Sequence, residues 1–355
     1  MRFLGLILFI TSVKGTDYID YPHPFHPTSS KSGMVVSQNT LSSDIGIEIL
    51  EMGGNAVDAA VAVGFSLAVT LPRAGNLGGG GFMLIYMKDR DEILAIDYRS
   101  QSPEGLTTDQ IFGVNLPDEY KKANRDIVRY GYKASTVPGT VSGLILAHSQ
   151  FGKLPLDVVM RPAIEQAREG VNVSYDLEQA IASAPQLSLD AESKRIYFHE
   201  GKPLKRGEVM KRPDLANTMN QISMNGLKGF YDGEVAEKIA SSMAINDGEI
   251  TTDDLKKYRA RFTQPIGVNY RGNKVYTHGP PSGGGIVLLT ALKVLEYFDL
   301  GKAGSNSAMS YHLIAEALRR GHNNRSHHVG DPSFYSVPYD QLMSCLLYTS
   351  PSPRD

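Results

Sequence analysis

Cysteine is almost missing from this chain: Cys345 is the only one in 355 residues, so no internal disulfide can form. The fold must therefore be stabilised by a hydrophobic core, for which 41% hydrophobic residues provide the side chains. An excess of either charge is missing as well, because 36 basic and 38 acidic residues give a formal net charge of −2. Domains that bind nucleic acid are clearly basic. The composition thus argues against DNA or RNA as a partner.

The apolar run at the N-terminus, residues 3–13, is too short to span a membrane, which takes about 20 residues. It follows Met1-Arg2 and ends among small residues, a pattern typical of a cleaved export signal over residues 1–15. A buried N-terminal helix and a short membrane anchor are the alternatives. We expect an exported protein, periplasmic or extracellular, with a membrane-anchored ectoprotein as the alternative. Residues 16–33, rich in proline and histidine, are predicted to form an extended lead.

Three common kinds of catalytic or cofactor site lack their sequence signatures. The four glycines Gly78 to Gly81 follow a helical segment and precede a strand, whereas a phosphate-binding loop follows a strand and opens a helix. No Gly-x-Ser-x-Gly elbow of a serine hydrolase occurs. No His-Glu-x-x-His zinc motif accompanies the histidines, which cluster at His23 and His26 and at His322, His327 and His328. The sequence therefore predicts neither a metal nor a cofactor.

Two consecutive helices are predicted near the start of the folded region. The first contains residues 42–52 and ends at Gly53, which suits a helix C-terminus. Asn55 can N-cap the second helix, with Asp58 three residues later reaching back to it. This second helix, residues 56–70, is apolar on nearly every face, so it should be buried.

Two β-hairpins are predicted within an otherwise mostly helical chain. Residues 82–87 and 93–98 are apolar runs of strand length, directly after the four glycines. Glycine has no side chain, so Gly78 to Gly81 can adopt positive φ or let another segment approach closely. A second hairpin is predicted over residues 266–277. No repeat and no long linker is visible, which predicts one domain over residues 34–343.

Arg99 lies at the end of the second predicted strand, close to the glycine-rich segment. A guanidinium is planar and binds a carboxylate through two parallel hydrogen bonds. Arg99 is therefore a candidate for binding the carboxylate of a substrate. The alternatives are a salt bridge to an acid such as Asp97 and a solvated strand end.

Several segments together resemble the large-subunit half of a γ-glutamyltransferase. They occur in the family's order and are Gly53 to Ala60, Asn76 to Met83, Ala95 to Arg99, Thr136 to Gly143, Phe230 to Gly233, Asp253 to Leu255 with Tyr258, Pro280 to Gly285, and Gly330 to Pro332. The resemblance covers about Met34 to Met343. Ser100 departs from it, because the family usually has glutamate after this arginine, and the Pro280 loop lacks one proline and has one serine changed. These departures concern details of substrate contact.

The resemblance implies an α+β fold, the αββα sandwich of N-terminal-nucleophile hydrolases, present here as an incomplete large-subunit half. It implies γ-glutamyl transfer from glutathione and other γ-glutamyl donors to amino acids, peptides or water. Arg99 matches the arginine that binds the α-carboxylate of the γ-glutamyl group. In this family a precursor cuts itself before a threonine that becomes the nucleophile. The implied partner is therefore the small subunit of the same precursor.

The nucleophile motif of the family, Thr-Thr-His before an apolar strand, does not occur in this sequence. The threonine pairs Thr107-Thr108 and Thr251-Thr252 are each followed by aspartate and indicate helix starts. We therefore expect no catalytic residue in this chain and no turnover by it alone. Residues 344–355 resemble translated cloning-adapter sequence, which predicts a truncated precursor, with a natural divergent tail as the alternative.

Two rival functions stay open at this point. One is an acylase of the same superfamily, and the other is a non-catalytic secreted module that keeps a carboxylate-binding pocket. The segment from Ala95 to Arg99 favours the transferase, because recognition of an amino acid requires a group that binds its carboxylate.

Overall fold

The computed structural model of the protein describes residues 29–107, 110 and 129–343. The chain divides into two units, Met1–Met34 and Val35–Asp355. In the first unit, residues 29–34 contain a bend and no helix or strand. All elements described below belong to the second unit. The predicted export signal and the tail after Met343 lie outside the described residues, as does most of the extended lead.

The second unit contains mostly α-helices, with short β-strands between them. The α-helices are α1 Thr40–Glu51, α2 Ala56–Thr70, α3 Thr140–Phe151, α4 Leu156–Glu169, α5 Tyr175–Ala182, α6 Ala191–Tyr197, α7 Pro213–Asn225, α8 Lys228–Tyr231, α9 Glu234–Ile245, α10 Thr252–Lys257, α11 Gly283–Leu295, α12 Leu300–Ala303, α13 Ala308–His328 and α14 Tyr339–Leu342. The strands are β1 Gly81–Met87, β2 Glu92–Tyr98, β3 Val171–Asn172, β4 Phe198–His199, β5 Lys202–Pro203, β6 Val209–Met210, β7 Arg261–Thr263, β8 Ile266–Tyr270 and β9 Asn273–Thr277.

The predicted junction between α1 and α2 is confirmed. Gly53 follows α1 with φ of 92°, a left-handed conformation that glycine adopts without strain. The Asn55 side chain accepts hydrogen bonds from the backbone N–H groups of Val57 and Asp58, and the Asp58 carboxylate accepts one from the Asn55 N–H. These reciprocal bonds satisfy backbone donors that a helix N-terminus otherwise leaves unpaired. Eleven of the 15 residues of α2 are buried, as its apolar composition predicts.

Both predicted hairpins are confirmed, and a third strand joins the first of them. β1 and β2 pair antiparallel from Gly81 opposite Tyr98 to Met87 opposite Glu92. β7 pairs antiparallel with the other edge of β2, which places Arg261 directly opposite Asp97. The sheet order is therefore β1-β2-β7, while β8 and β9 form a separate two-stranded sheet. β7 has no counterpart among the predicted strands.

The main hydrophobic core surrounds α2, which packs against α1, α3 and α4. β1 and β2 contribute Ile85 and Ile96 to the same cluster. α3 also packs against β2 and β1, so the sheet is attached to the helical core through its first two strands. The architecture is α+β, as predicted. Within the described ranges, no helix has the length and apolar character needed to cross a membrane.

Candidate functional site

A cleft of about 730 Å³ opens where β2 ends, beside the first residue of β7. It is polar and carries both signs of charge. Its lining residues come from the end of β2, the segment after it, the start of β7, the loop before α11 and the segment after α13: Asp97, Arg99, Ser100, Gln101, Ser102, Glu104, Arg261, Pro281, Asp331, Ser333 and Phe334. Three of the segments that carry the family resemblance therefore meet here, those containing Arg99, Pro281 and Asp331.

The Arg99 side chain is exposed in this cleft. Within residues 29–107, 110 and 129–343, its guanidinium makes no side-chain hydrogen bond or ion pair, whereas Asp97 is paired elsewhere. The Asp97 carboxylate accepts from the Arg261 guanidinium at 3.0 Å and from the backbone N–H of Arg99 at 2.9 Å. The salt bridge between Arg99 and Asp97 that the sequence offered as an alternative is therefore not formed. Among the described residues, the Arg99 guanidinium is therefore without a partner.

The backbone of Arg99 is held on both sides although the residue lies beyond the last pair of the hairpin ladder. Its N–H donates to Asp97 Oδ1, and its carbonyl accepts a 2.9 Å hydrogen bond from the Tyr258 hydroxyl. Two residues later, Gln101 and Val137 exchange backbone hydrogen bonds of 2.8 and 3.3 Å. The segment that carries Arg99 is thus fixed by residues that are distant in sequence.

The glycine-rich segment lies directly against this backbone. None of Gly78 to Gly81 has a positive φ, so of the two roles predicted for the glycines only close approach is relevant here. A Cβ on Gly80 would clash with the backbone N–H of Ser100 and come within 2.6 Å of the Tyr98 carbonyl oxygen. At Gly79 the nearest atom would be the flexible Asn76 Oδ1, at 3.1 Å. The close approach to another backbone segment is therefore made at Gly80, and a Cβ on Gly81 would come within 2.7 Å of the Tyr98 ring.

The glycine segment is also tied to the start of α3. The Gly79 carbonyl accepts from the N–H groups of Gly139 and Thr140 at 2.7 and 3.1 Å. A Cβ on Gly139 would clash with the Tyr98 carbonyl and the Tyr258 hydroxyl. Gly80 and Gly139 both lie in segments that carry the family resemblance. Because they have no side chains, they allow three backbone segments to pack closely.

Two stacked tyrosines lie behind Arg99. The rings of Tyr231 and Tyr258 are 5.8 Å apart at an interplanar angle of 14°. The Tyr231 hydroxyl donates to the Pro138 carbonyl at 2.8 Å and accepts from the Ser142 N–H at 3.1 Å. Burial raises the pKa of both phenols, and the Asp97 carboxylate raises the pKa of Tyr258 further. Both hydroxyls are therefore protonated, and able to donate, throughout the neutral range.

Arg261 is a cleft-lining neighbour of Arg99 that the sequence did not indicate. Besides Asp97 it contacts the Ser333 hydroxyl at 3.1 Å and approaches Asp331 at 4.0 Å. It thereby connects the sheet to the segment after α13. A single arginine 162 positions after Arg99 carries no local pattern that could predict this contact.

The other candidate residues do not line the cleft, and one of them caps a helix. Thr251 N-caps α10 and forms a reciprocal capping box with Asp254, as its position before an aspartate predicts. The histidines of α13, His322, His327 and His328, do not line the cleft. In the part of the chain that the structure describes, no three His, Cys, Asp or Glu side chains come together as a metal site. Thr108 lies outside the described residues.

Comparisons with known proteins place these features in a family. The Gamma-glutamyltranspeptidase family model matches residues 42–349. The glutathione hydrolase proenzyme of Escherichia coli (strain K12) is 42% identical over 321 residues, which are 90% of this chain and 54% of that protein. An acylase ACY 1 proenzyme of Pseudomonas sp. (strain SE83) is 36% identical over 89% of this chain and 57% of its own length.

A solved structure agrees with the sequence relatives. The crystal structure of Helicobacter pylori γ-glutamyltranspeptidase superposes with a TM-score of 0.84 at 37% identity, covering 90% of this chain and 90% of the solved chain. The chain spans about half the length of the curated relatives that it matches. Its α+β fold is the large-subunit half of the N-terminal-nucleophile hydrolase architecture, as the sequence predicts. With the match covering most of its length in both sequence and fold, the chain belongs to the γ-glutamyltranspeptidase family.

Proposed function

We propose that this chain is the large-subunit part of an enzyme that transfers the γ-glutamyl group of glutathione and related donors to amino acids, peptides or water. The observation that carries the proposal is Arg99. Its guanidinium is exposed in a cleft and unpaired among the described residues, while its backbone is fixed by Asp97 and Tyr258. A fixed arginine with free donors suits a ligand carboxylate, and the γ-glutamyl group carries one at its α-carbon.

The nucleophile has to come from outside this chain. The threonine pair at Thr251 is engaged in capping α10, and no Thr-Thr-His motif occurs in the sequence. In the proposed reaction an N-terminal threonine hydroxyl bonds to the γ-carbonyl carbon, and the bond to the leaving amine breaks. The threonine's own α-amine accepts the hydroxyl proton and returns it to the leaving amine. Arg99 orients the donor for this attack and takes no part in proton transfer.

The partner that would supply the threonine is the remaining part of the same precursor. The matched relatives are named proenzymes, and the chain covers 54% of the Escherichia coli protein but 90% of the solved Helicobacter pylori chain. This difference supports a precursor that is divided into two subunits. We also infer export, from the pattern of residues 1–15, and N-terminal sequencing of the exported protein would test it.

Substitution of Arg99 tests the proposal in the full-length precursor. Arg99→Lys should lower kcat/KM for a chromogenic γ-glutamyl anilide about tenfold or more, mainly through KM. The reason is that one ammonium cannot reproduce two parallel hydrogen bonds, a loss of about 1.5 to 3 kcal/mol. Arg73→Lys is the matched control, because Arg73 pairs with Asp176 at an exposed site outside the cleft. An unchanged kcat/KM in Arg99→Lys would remove Arg99 from the site.

Two further measurements separate the rival functions. Because one relative is an acylase, the rate of cleavage should be compared for glutathione and for the side-chain amide of a β-lactam. Faster cleavage of the amide would favour acylase activity over the proposed reaction. The same anilide assay on this chain alone should give no turnover. If the full-length precursor were also inactive but bound glutamate, the non-catalytic module would be the correct function.

A further inference from the structure

We propose that Tyr258 is a positioning residue for substrate binding: its hydroxyl fixes the backbone at Arg99 and thereby directs the guanidinium towards the donor carboxylate. The inference rests on the proposed function, because it takes Arg99 as the group that binds this carboxylate. It assigns to Tyr258 a role in donor recognition although the Tyr258 side chain does not line the cleft.

The first support is the position of Arg99 in the backbone. β2 ends at Tyr98, so Arg99 is the first residue that the β1–β2 ladder does not hold. Among the described residues, two hydrogen bonds replace the ladder at this residue, one from its N–H to Asp97 and one from Tyr258 to its carbonyl. Without the second bond, the peptide between Arg99 and Ser100 loses the hydrogen bond to its carbonyl, and the next backbone hydrogen bonds are those of Gln101 with Val137. The guanidinium at the end of a long side chain would then be displaced by more than the backbone itself.

The second support is the rigidity of Tyr258 itself. The residue is 3% exposed and its ring stacks on Tyr231. It follows the last residue of α10, and its N–H donates to the Asp254 carbonyl at 3.2 Å. α10 begins with the capping box of Thr251 and Asp254. The hydroxyl is therefore fixed from both the ring and the backbone, and it cannot follow Arg99 if that segment moves.

The third support is that Tyr258 is a neutral group dedicated to this contact. Asp97, the other support of Arg99, also carries the ion pair to Arg261, so a change at Asp97 disturbs several interactions together. Removal of the Tyr258 hydroxyl leaves only the Arg99 carbonyl without its donor. Because burial keeps the phenol protonated, this donor is present across the working pH range of an enzyme.

The test uses the full-length precursor with two chromogenic donors, a γ-glutamyl anilide and the same anilide with its α-carboxylate converted to a carboxamide. Tyr258→Phe should raise KM for the carboxylate donor about three- to tenfold and leave the carboxamide donor within about twofold, since only the former engages Arg99. Tyr231→Phe is the matched control, because it removes the hydroxyl of the stacked partner, which contacts Pro138 and Ser142 instead of Arg99. It should change the two donors by the same factor.

A double-mutant cycle distinguishes a positioning role of Tyr258 from a purely structural one. In an Arg99→Lys background, Tyr258→Phe should have little further effect on KM for the carboxylate donor, because the two changes act through one interaction. If phenylalanine prevents folding, Tyr258→Met removes the hydroxyl with an adaptable side chain, and the same donor ratio is expected.

Each result distinguishes this inference from the proposed function. A wild-type enzyme that does not prefer the carboxylate donor would overturn the proposed function and this inference with it. Normal preference in the wild type, with equal effects of Tyr258→Phe on both donors or no effect at all, would overturn the role of Tyr258 and leave the proposed function intact.

Discussion

The described residues contain two hydrophobic clusters that differ in how completely they are covered. The larger cluster, around α2, includes many side chains with no solvent exposure, among them Ile49, Phe65 and Ile96. The smaller cluster consists of Ala291, Val294, Leu295 and Ala317, contributed by α11 and α13. Around it, large apolar side chains stay exposed: Leu288, Tyr297, Phe298, Met309, Tyr311, Ile314 and Leu318.

The number of neighbouring elements explains the difference. α2 is covered by α1, α3 and α4, whereas α13 packs mainly on α11, with the short α12 beside it. The contact between α11 and α13 is close, since a Cβ on Gly321 would come within 2.8 Å of the Val287 carbonyl oxygen. In the described part of the chain, large apolar side chains on or beside these two helices stay exposed to solvent: Leu288, Phe298, Met309, Ile314 and Leu318. We infer that the α11–α13 face is a surface for a further segment of the precursor.

The largest effect is expected from breaking the close backbone packing on the Arg99 side. Gly80→Ala places a Cβ against the backbone of Ser100 and Tyr98, neither of which can rotate away. We expect a loss of about 3 kcal/mol in unfolding free energy, at the upper end for overpacked sites. Denaturant unfolding of the purified full-length precursor measures it.

Gly79→Ala is the matched control for this prediction. The nearest atom to its Cβ would be the Asn76 Oδ1 at 3.1 Å, and the nearest backbone atom would be the Asn76 carbonyl oxygen at an ordinary 3.7 Å. We expect a change of about 0.5 kcal/mol or less. Equal losses in the two variants would show that the close approach at Gly80 does not determine the packing here.

A smaller effect is expected from alkaline pH, and it should come from the covered region. Burial raises the pKa of Tyr231 above its ordinary value of 10.0. Above pH 10 the unfolded chain loses this phenolic proton while the folded chain retains it, so stability is complete below pH 10 and falls as the pH rises. One such tyrosine contributes a slope of about 1.4 kcal/mol per pH unit.

Tyr231→Phe should reduce that slope by about 1 kcal/mol per pH unit between pH 10 and 11, where the unfolded phenol is still partly protonated. Urea unfolding at several pH values measures it. Between pH 7 and 9 the variant and the parent should have parallel profiles, which serves as the internal control. A variant whose slope above pH 10 equals that of the parent would contradict the assignment to Tyr231.

Local signals explain what could be predicted from the sequence. The caps at Gly53 and Asn55 and both hairpins depend on residues within a few positions of each other, so they were predictable. The end of β2 at Tyr98 likewise located Arg99 correctly at a strand terminus. The family resemblance supplied the remaining fold and the proposed role of Arg99.

Contacts between distant residues explain what could not be predicted. Asp97 lies two residues from Arg99, which made it a plausible partner for that guanidinium. The register of β7 instead places Arg261 directly opposite Asp97, and this register is a tertiary feature without a local signal. The Tyr258 contact with Arg99 spans 159 positions and could not be predicted for the same reason.

The smallest effect on stability is expected at the exposed face of α13. Ile314 on α13 is 38% exposed, so Ile314→Gln should change the unfolding free energy of this chain by about 0.5 kcal/mol or less. In the full-length precursor the same change should lower the yield of the processed, two-subunit protein, because it places an amide in a surface that we infer to be buried there. Ile245→Gln is the control, since Ile245 ends α9 in the other region and is 82% exposed. Size-exclusion chromatography and gel analysis of processing compare the variants. If Ile314→Gln and Ile245→Gln gave the same yield of two-subunit protein, the α13 face would not be the surface that the rest of the precursor covers.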